Sequence, residues 1–195
     1  MARALLLSLL LSAAGASVSC ARYEDLATHE AMHLDAKRYQ GFWYEVAGVS
    51  GFIDGSCACT RMKFELEGPT SFKDTYTCRK PSPEGNIVLP PVRGSFPAGM
   101  PGKMEGPMKP VTMPYWVVGL WGDYEYSLVY SCAPLLVTKA ERLYFFSRKP
   151  EIPAEVMKEM RAFAAARNLS LAYVKDVPMA GCKWAPDSGA AELQV

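Results

Sequence analysis

The stretch LDAKRYQGFWYEVA, residues 34–47, decides which fold this sequence encodes. It contains Gly41, after which aromatic and β-branched residues continue to residue 49. A run of this composition that follows a turn-forming residue is typical of a β-strand. The sequence therefore predicts that the folded domain opens with a strand over 42–49.

Further strand-like runs follow at short intervals. In the clearest of them, 60–66, apolar and charged residues alternate, so that one face of the strand is apolar. The remaining runs are 72–78, 87–96, 115–120, 126–132 and 142–147. The pair Pro90-Pro91 predicts an edge or a bend in the fourth strand. Strands in sequence order joined by short turns indicate an all-β, up-and-down antiparallel barrel or a sandwich.

One segment has helical periodicity instead. Its apolar residues recur at helical spacing: Val156, Met160, Phe163 and Ala164. Pro153 suits the first turn and Asn168 the C-terminal cap, which predicts a helix at about 153–168. The helix is expected to pack on the outside of the barrel and to precede a last strand, 171–177. A membrane-surface helix is the alternative, but this one is short and its polar face carries both signs of charge.

The first residues have the layout of a secretory signal peptide. A basic residue, Arg3, precedes an unbroken apolar run, 4–14, that is too short to span a membrane. Small residues permit cleavage after Ala16 or after Ser19, so we expect a signal peptide at 1–19. The protein is then secreted or resides in the lumen of the secretory pathway.

Length and charge limit the remaining organisation. The 195 residues suit one domain, and we expect an N-terminal arm (20–40), a barrel domain (41–183) and a C-terminal tail (184–195). The 21 Lys and Arg residues nearly balance the 20 Asp and Glu residues. No basic surface of the kind that binds nucleic acid is therefore expected.

The cysteines point to disulfide bonds. An even number in an exported chain is typical of a disulfide framework, and the six are Cys20, Cys57, Cys59, Cys78, Cys132 and Cys182. A zinc site at Cys57-Ala58-Cys59 is an alternative, although the spacing is wrong for a zinc ribbon. A bacterial lipid anchor on Cys20 is another, and it would be the chain's only membrane contact. The sequence before Cys20 lacks the usual leucine of that motif.

The histidines spell a zinc-protease motif, His29-Glu30-Ala31-Met32-His33. In such enzymes two imidazoles one helical turn apart bind zinc and the glutamate acts as general base. The positions that would supply a third histidine hold Ala36 and Tyr39, and the chain has only two histidines. Beyond Gly41 the chain is predicted to form strands, with no second helix to present a substitute ligand. We interpret the motif as coincidental, in a solvated arm whose His and Glu side chains face water, and expect neither metal nor peptidase activity.

The segment 97–114, PAGMPGKMEGPMKPVTMP, combines prolines with four methionines. The prolines exclude a helix. A Cu(I) site made of methionine sulfurs is one interpretation. We favour mobile strands and loops at a cavity mouth, where methionine adapts to an apolar guest.

Three blocks of the sequence together resemble the lipocalin family. The first is Gly41-Phe42-Trp43 followed by Tyr44-Glu45, the G-x-W motif that opens lipocalin barrels. The second is YWVVGLWGDYEYSLVYSC, 115–132, which contains Asp123 and Tyr124. The third is LYFFSRKPEIPAEVMKEM, 143–160, an aromatic strand that ends at Arg148 and leads into the helix. The blocks come in family order and the resemblance covers about 34–182, with apolipoprotein D and the bacterial outer-membrane lipocalins looking most similar.

Two features depart from the family pattern. Trp121-Gly122 stands where lipocalins usually have a polar pair. The segment 97–114, which should supply two strands, is short and interrupted by prolines.

The resemblance implies an eight-stranded antiparallel up-and-down barrel with one C-terminal α-helix packed outside. Trp43 would plug one end of the barrel, and Arg148 would stack on its indole while donating to backbone carbonyls. These side chains are expected to stabilise the fold without touching a ligand. The full set of expected motif residues is Gly41, Trp43, Asp123, Tyr124 and Arg148.

The resemblance also implies the disulfide pairing. It suggests Cys59–Cys182 and Cys20–Cys132, which leaves Cys57–Cys78. An exchange of Cys57 and Cys59 between these bonds stays open, since they are two residues apart.

The implied function is that of a secreted carrier for a small hydrophobic ligand, such as a sterol, fatty acid, retinoid, carotenoid or bilin. Removing the apolar surface of such a molecule from water gains about 25 cal/mol per Å². No cofactor is expected. Strand alternation nominates as lining residues Glu45, Met62, Phe64, Leu66, Phe72, Tyr76, Tyr115, Val117, Tyr144 and Phe146.

Two other functions stay open. Some lipocalins are enzymes that transform a bound lipid or pigment with a cavity thiol or carboxylate, and Glu45 and Asp74 are the candidate acids here. A module that binds other proteins through its loops is the third possibility. Asn168-Leu169-Ser170 is a sequon for N-glycosylation at the exposed end of the helix, if the host is a eukaryote.

Overall fold

The computed structural model of the protein describes residues 19–49, 57–80, 85–108 and 111–184. The predicted signal peptide, except for its last residue, lies outside these residues, as does the tail beyond residue 184. None of the helices in the described ranges is long and apolar enough to cross a membrane.

The strands form one antiparallel sheet that closes on itself. They are β1 (Gly41–Val49), β2 (Ala58–Leu66), β3 (Ser71–Lys80), β4 (Gly85–Val88), β5 (Val92–Ser95), β6 (Lys103–Met108), β7 (Val111–Trp121), β8 (Tyr126–Pro134), β9 (Lys139–Ser147) and β10 (Val174–Asp176). Strands β1, β2, β3, β5, β6, β7, β8 and β9 are neighbours in that order, and β9 pairs with β1 to close the barrel. The predicted eight-stranded up-and-down barrel is confirmed.

The predicted bend in the fourth strand is present. Both β4 and β5 pair with β3, in registers that place Val88 opposite Thr77 and Val92 opposite Asp74. The intervening Pro90 and Pro91 belong to no strand. Because proline has no backbone N–H to donate, the ladder is interrupted there and a single barrel strand is divided into two.

The segment 97–114 contains β6 and the beginning of β7, although its composition is not typical of strands. β6 pairs with the first half of β7, which begins four residues earlier than the run predicted at 115–120. Pro107 lies opposite Thr112, and Pro114 lies opposite Glu105. Alternation was not visible here because proline and glycine occupy positions that would otherwise show it.

The C-terminal helix lies outside the barrel, as predicted. It is α4 (Ala154–Ala166), and the left-handed Asn168 (φ 56°) follows its last turn. Met160 and Ala164 are buried. They belong to an outer core between helix, arm and barrel, which also includes Val118, Leu128, Leu143 and Phe145. The last strand, β10, is shorter than the predicted 171–177 and pairs with β1.

Trp121, one of the two departures from the family pattern, also belongs to this outer core. Its ring meets Phe163 of the helix edge to face, with 5.4 Å between the ring centroids. The aromatic residue thus fastens α4 to β7, which explains why an apolar side chain occurs at this position.

The N-terminal arm corrects a sequence-based expectation. It contains three single-turn helices, α1 (Tyr23–Leu26), α2 (His29–Met32) and α3 (Ala36–Tyr39). Its apolar side chains are buried against the barrel: Tyr23, Leu26, Ala31, Leu34 and Tyr39. The arm is therefore packed and not simply solvated, because its apolar residues find a place across one end of the barrel.

The zinc-like motif lies on the solvent face of this arm. His29, Glu30 and His33 are exposed, as expected. His33 Nδ1 lies 2.8 Å from the carbonyl oxygen of His29, and the two rings lie 4.2 Å apart. In the described ranges no group of three or more His, Cys, Asp or Glu side chains could hold a metal ion.

Trp43 and Arg148 seal the end of the barrel that the arm covers. The guanidinium carbon of Arg148 lies 3.7 Å from the centroid of the Trp43 ring. Its nitrogens donate to four backbone carbonyls, those of Arg38, Gln40, Phe42 and Tyr124. Gly41 has φ 100°, and a Cβ there would lie 3.4 Å from the Arg148 guanidinium. We call this end of the barrel the closed end.

Asp123 and Tyr124 join the arm to the same end. Both have left-handed backbone angles in the turn between β7 and β8. Arg38 donates to the Asp123 carboxylate at 2.6 Å, and its guanidinium lies 4.2 Å from the Tyr124 ring centroid. The Tyr124 hydroxyl accepts a hydrogen bond from the Asp35 N–H at 2.7 Å. The turn thus holds the entry to α3 in place.

All six cysteines are disulfide-bonded. The pairs are Cys20–Cys132, Cys57–Cys78 and Cys59–Cys182, with Cα–Cα distances of 5.9, 5.6 and 5.4 Å. These are the pairs that the family resemblance implies. They fasten the arm to β8, the start of β2 to β3, and β2 to the C-terminal segment.

Candidate functional site

The half of the barrel away from Trp43 contains a cavity of about 290 Å³. This volume is at the lower end of the range of ligand pockets, roughly 300–1,000 Å³. Residues near the end of β1 and the beginning of β2, including Val49 and Cys57, border it. The cavity therefore faces the end of the barrel opposite to the closed end.

Seven of the ten nominated lining residues border this cavity. They come from β1, β2, β3, β7 and β9: Glu45, Met62, Phe72, Tyr76, Tyr115, Tyr144 and Phe146. The other three, Phe64, Leu66 and Val117, do not. Phe64 is fully buried, stacked on Phe72 and edge to face with Tyr39 of the arm. These three side chains point into the barrel as their alternation requires, but they do so in its closed half, where the interior is filled.

Other residues that border the cavity were not nominated. They are Val49, Cys57, Thr60, Asp74, Leu89, Val92, Gly106, Pro107, Met113, Pro114, Ser131 and Val177. Asp74 was not among the ten but was named as a candidate cavity acid, and Thr60 could have been found, since it alternates with Met62 on the same face. Met113 comes from the methionine-rich segment expected at a cavity mouth, whereas Met104 of that segment is fully buried.

Glu45 is the most buried acidic group of the cavity. Only 6% of it is exposed, and its Oε2 accepts a hydrogen bond from the Tyr76 hydroxyl at 3.3 Å. Its side chain folds over Gly48, where any Cβ would collide with the carboxyl oxygen. Burial raises the pKa of Glu45 to about 7, partly offset by the Tyr76 hydrogen bond.

Asp74 is the second acidic group. Its Oδ1 is buried and has no hydrogen-bond partner among the described residues. Burial raises the pKa of Asp74 to about 7. A carboxyl oxygen in this condition is costly unless a further group donates to it.

Three tyrosines complete the polar side of the cavity. Burial raises the pKa of Tyr144 to about 12 and that of Tyr115 well above its ordinary value, so both hydroxyls keep their protons at neutral pH. The Tyr115 hydroxyl lies 3.8 Å from Met62 Sδ. The third, Tyr76, is already bonded to Glu45. The wall thus offers carboxyl acceptors and tyrosine hydroxyls within a mainly apolar surface.

Comparison with known proteins agrees with this geometry. The profile of the lipocalin-like domain matches residues 34–178, which is most of the chain. The chain belongs to the lipocalin family. No match is found among curated proteins.

Solved structures show which lipocalins share its fold. Lobster apocrustacyanin A1 is 18% identical, with a TM-score of 0.61 over 73% of this chain and 78% of that one. The cockroach allergen Per a 4 is 21% identical, with a TM-score of 0.58 over 76% and 90%. The siderocalin Ex-FABP is 15% identical, with a TM-score of 0.55 over 72% and 94%. At these identities the likeness of this lipocalin to each of them concerns the fold.

Proposed function

We propose that this lipocalin is a secreted carrier that binds one small, largely apolar molecule in the barrel cavity. The observation that carries the proposal is the cavity itself: a barrel sealed at one end by Trp43 keeps about 290 Å³ of space in its other half, lined mainly by apolar side chains. Enclosing an apolar molecule there removes its surface from water, at about 25 cal/mol per Å².

Export is supported by the cysteines. Three disulfide bonds are typical of proteins in oxidising compartments. The bond between Cys20 and Cys132 also occupies the sulfur that a lipid anchor at Cys20 would need. This supports a freely secreted protein over an anchored one.

The size of the cavity bears on the ligand. Among the classes that the family resemblance suggests, the small volume favours compact molecules, and the larger ones must extend through the mouth. The siderocalin Ex-FABP functions through dual ligand specificities. The cavity of this lipocalin is lined by both apolar and polar groups, so it can accommodate an apolar ligand that also carries a polar group.

The test is binding of a neutral apolar dye, N-phenyl-1-naphthylamine, followed by its fluorescence. We expect a saturable, one-to-one increase in the wild type. Ser131→Leu, which adds a side chain to the cavity wall, should weaken binding about tenfold or more. Thr75→Phe is the matched control, because residue 75 alternates away from the cavity-lining Asp74 and Tyr76. Equal dye affinity in all three proteins, or no saturable binding, would overturn the proposal. Native mass spectrometry of the secreted protein would identify a ligand that copurifies.

An enzyme on this fold is the second candidate, and one observation favours it. Burial raises the pKa of both Glu45 and Asp74 to about 7 inside the cavity, a value that suits a general acid or base. The thiol version of the hypothesis has no support, since every cysteine is in a disulfide. Incubation with lipids and pigments followed by mass analysis distinguishes the two functions: a carrier returns its ligand unchanged.

A further inference from the structure

The charged groups that border the cavity are all acidic. Glu45 and Asp74 face it from β1 and β3, and none of the described residues that border it is Lys, Arg or His. The other titratable groups facing it are the tyrosines of β3, β7 and β9, Tyr76, Tyr115 and Tyr144, which are neutral at pH 7. The described residues that border the cavity therefore include no cation for these carboxylates, although Arg142 acts on the Tyr144 hydroxyl.

The hydrogen bonds of the two carboxyls are also incomplete. Among the described residues Asp74 Oδ1 is buried without a partner, and the Glu45 carboxyl, in a side chain that is 6% exposed, accepts a hydrogen bond from the Tyr76 hydroxyl at 3.3 Å. Acceptors left in this state cost stability unless a donor reaches them. A ligand that brings several N–H donors to this wall would satisfy them.

The same wall discriminates by charge. In an interior of low dielectric constant, two carboxylates repel a ligand carboxylate and attract a cation far more strongly than they would in water. The aromatic rings beside them, Tyr144 and Phe146, which are stacked with 6.2 Å between centroids, add faces that attract cations. An ammonium group combines positive charge with three donors.

We propose that the cavity selects a compact apolar molecule that carries a protonated amine, with the ammonium group attracted by the Glu45 and Asp74 carboxylates and the apolar body against the aromatic wall. This inference rests on the proposed carrier function and specifies its ligand class. Molecules with a terminal carboxylate, fatty acids among them, are disfavoured by the same two groups.

Proton release accompanies such binding. In the free protein both carboxyls have raised pKa values near 7, so at neutral pH each is partly protonated. A bound cation stabilises the ionised form and expels those protons. The affinity for an amine should therefore increase from pH 5.5 to pH 8, while the amine itself stays charged throughout this range.

The experiment compares three probes with the same carbon body: 4-phenylbutylamine, 4-phenylbutanol and 4-phenylbutanoate, titrated calorimetrically into the protein at pH 8. We expect the amine to bind at least tenfold more tightly than the alcohol, and the carboxylate to bind most weakly. If the alcohol binds as well as the amine, or the carboxylate binds best, the inference is wrong and the carrier function stands. If none of the three binds and the neutral dye also fails to bind, the proposed function fails as well. Binding of the dye without preference for the amine overturns only the inference.

Variants locate the effect. Asp74→Asn and Glu45→Gln keep the shape of each side chain and remove its charge, and each should reduce the ratio of amine to alcohol affinity about tenfold. Glu65→Gln is the matched control, since Glu65 pairs with Lys63 and Lys73 outside the cavity and should leave the ratio unchanged. Should the cavity variants fail to fold, the wild-type ratio measured from pH 5.5 to pH 8 decides: a ratio that does not increase with pH contradicts the assignment.

Discussion

The Arg148 side chain connects three separate segments of the protein at the closed end. It covers Trp43 and donates to four carbonyls that belong to the arm, β1 and the turn before β8. Arg148→Met leaves those carbonyls without a donor, and we expect a loss of roughly 2–4 kcal/mol in the free energy of unfolding. Urea denaturation measures it. Arg93→Met, which removes an exposed ion pair with Glu67, should cost less than about 0.5 kcal/mol. Similar losses in both variants would show that Arg148 does not seal the barrel.

Substitutions of Phe64 and Tyr144 distinguish a core residue from a residue that borders the cavity. Phe64 is packed on all sides, so Phe64→Ala should cost about 3–5 kcal/mol and leave dye affinity unchanged in the folded fraction. Tyr144 borders the cavity. Tyr144→Ala should cost less stability and weaken the dye by about tenfold. Thermal melts beside dye titrations check both, and an equal effect of the two variants on dye affinity contradicts the assignment.

The buried carboxyls make stability depend on pH. The pKa values of Glu45 and Asp74 are raised to about 7 in the folded protein, above the values of 4.5 and 3.8 for free groups. Their contribution to stability is thus complete below about pH 4 and is lost as the pH rises to 7, by roughly 5–8 kcal/mol in total. Between pH 5 and pH 8 the melting temperature of the wild type should therefore decrease more than that of Glu45→Gln/Asp74→Asn. Glu65→Gln should follow the wild type, and parallel curves for all three would contradict the buried ionisation.

At the scale of elements, the arm is secured by a disulfide that closes a long loop. Cys20 and Cys132 are 112 residues apart, whereas Cys57 and Cys78 are 21 apart. In the chain-entropy account, removing the longer cross-link should cost about 1–2 kcal/mol more than removing the shorter one. Comparison of Cys20→Ala/Cys132→Ala with Cys57→Ala/Cys78→Ala by urea denaturation tests this. A smaller loss for the first pair would show that the arm is held mainly by its apolar contacts.

The end of helix α4 is placed for modification. Asn168 is exposed, in a left-handed conformation that asparagine tolerates, and Ser170 of the sequon is exposed as well. Secreted from a eukaryotic host, the protein should lose mass on treatment with an N-glycosidase. Ser170→Ala should abolish that loss without altering the Asn168 backbone. An unchanged wild-type mass after treatment would contradict the prediction.

The elements also show what a sequence can and cannot predict. Alternation revealed β2 and β9, and helical spacing revealed α4, because each is long enough for a period to repeat. The arm was missed because its helices are four residues each, a single turn, and their stability comes from packing against the barrel. Alternation likewise places Phe64 and Met62 on the same inner face, but not at their depth in the barrel. Depth alone decides that one is core and the other borders the cavity.

At the scale of the whole molecule, the barrel is divided into two halves with different tasks. The closed half packs Trp43, Phe64 and the arm into a core that holds the fold. The other half contains the cavity and two carboxyls whose pKa values are raised by burial. The likeness to the lobster, cockroach and siderocalin structures, at 15–21% identity, concerns the fold and not this division. The family motifs in the sequence concern the closed half, whereas Asp74 was named only as a candidate acid of an enzyme.

The closed end of the barrel determines how a ligand can enter and leave the cavity. Because the arm, Trp43 and Arg148 block one end of the barrel, a ligand must enter and leave the cavity through the opposite end. If the proposed carrier function holds, the protein releases its ligand from the end at which the ligand entered. It cannot pass its cargo through itself from a donor surface to an acceptor surface on the opposite side. The donor and the acceptor must each meet the same face of the protein, one after the other, with diffusion between the two encounters.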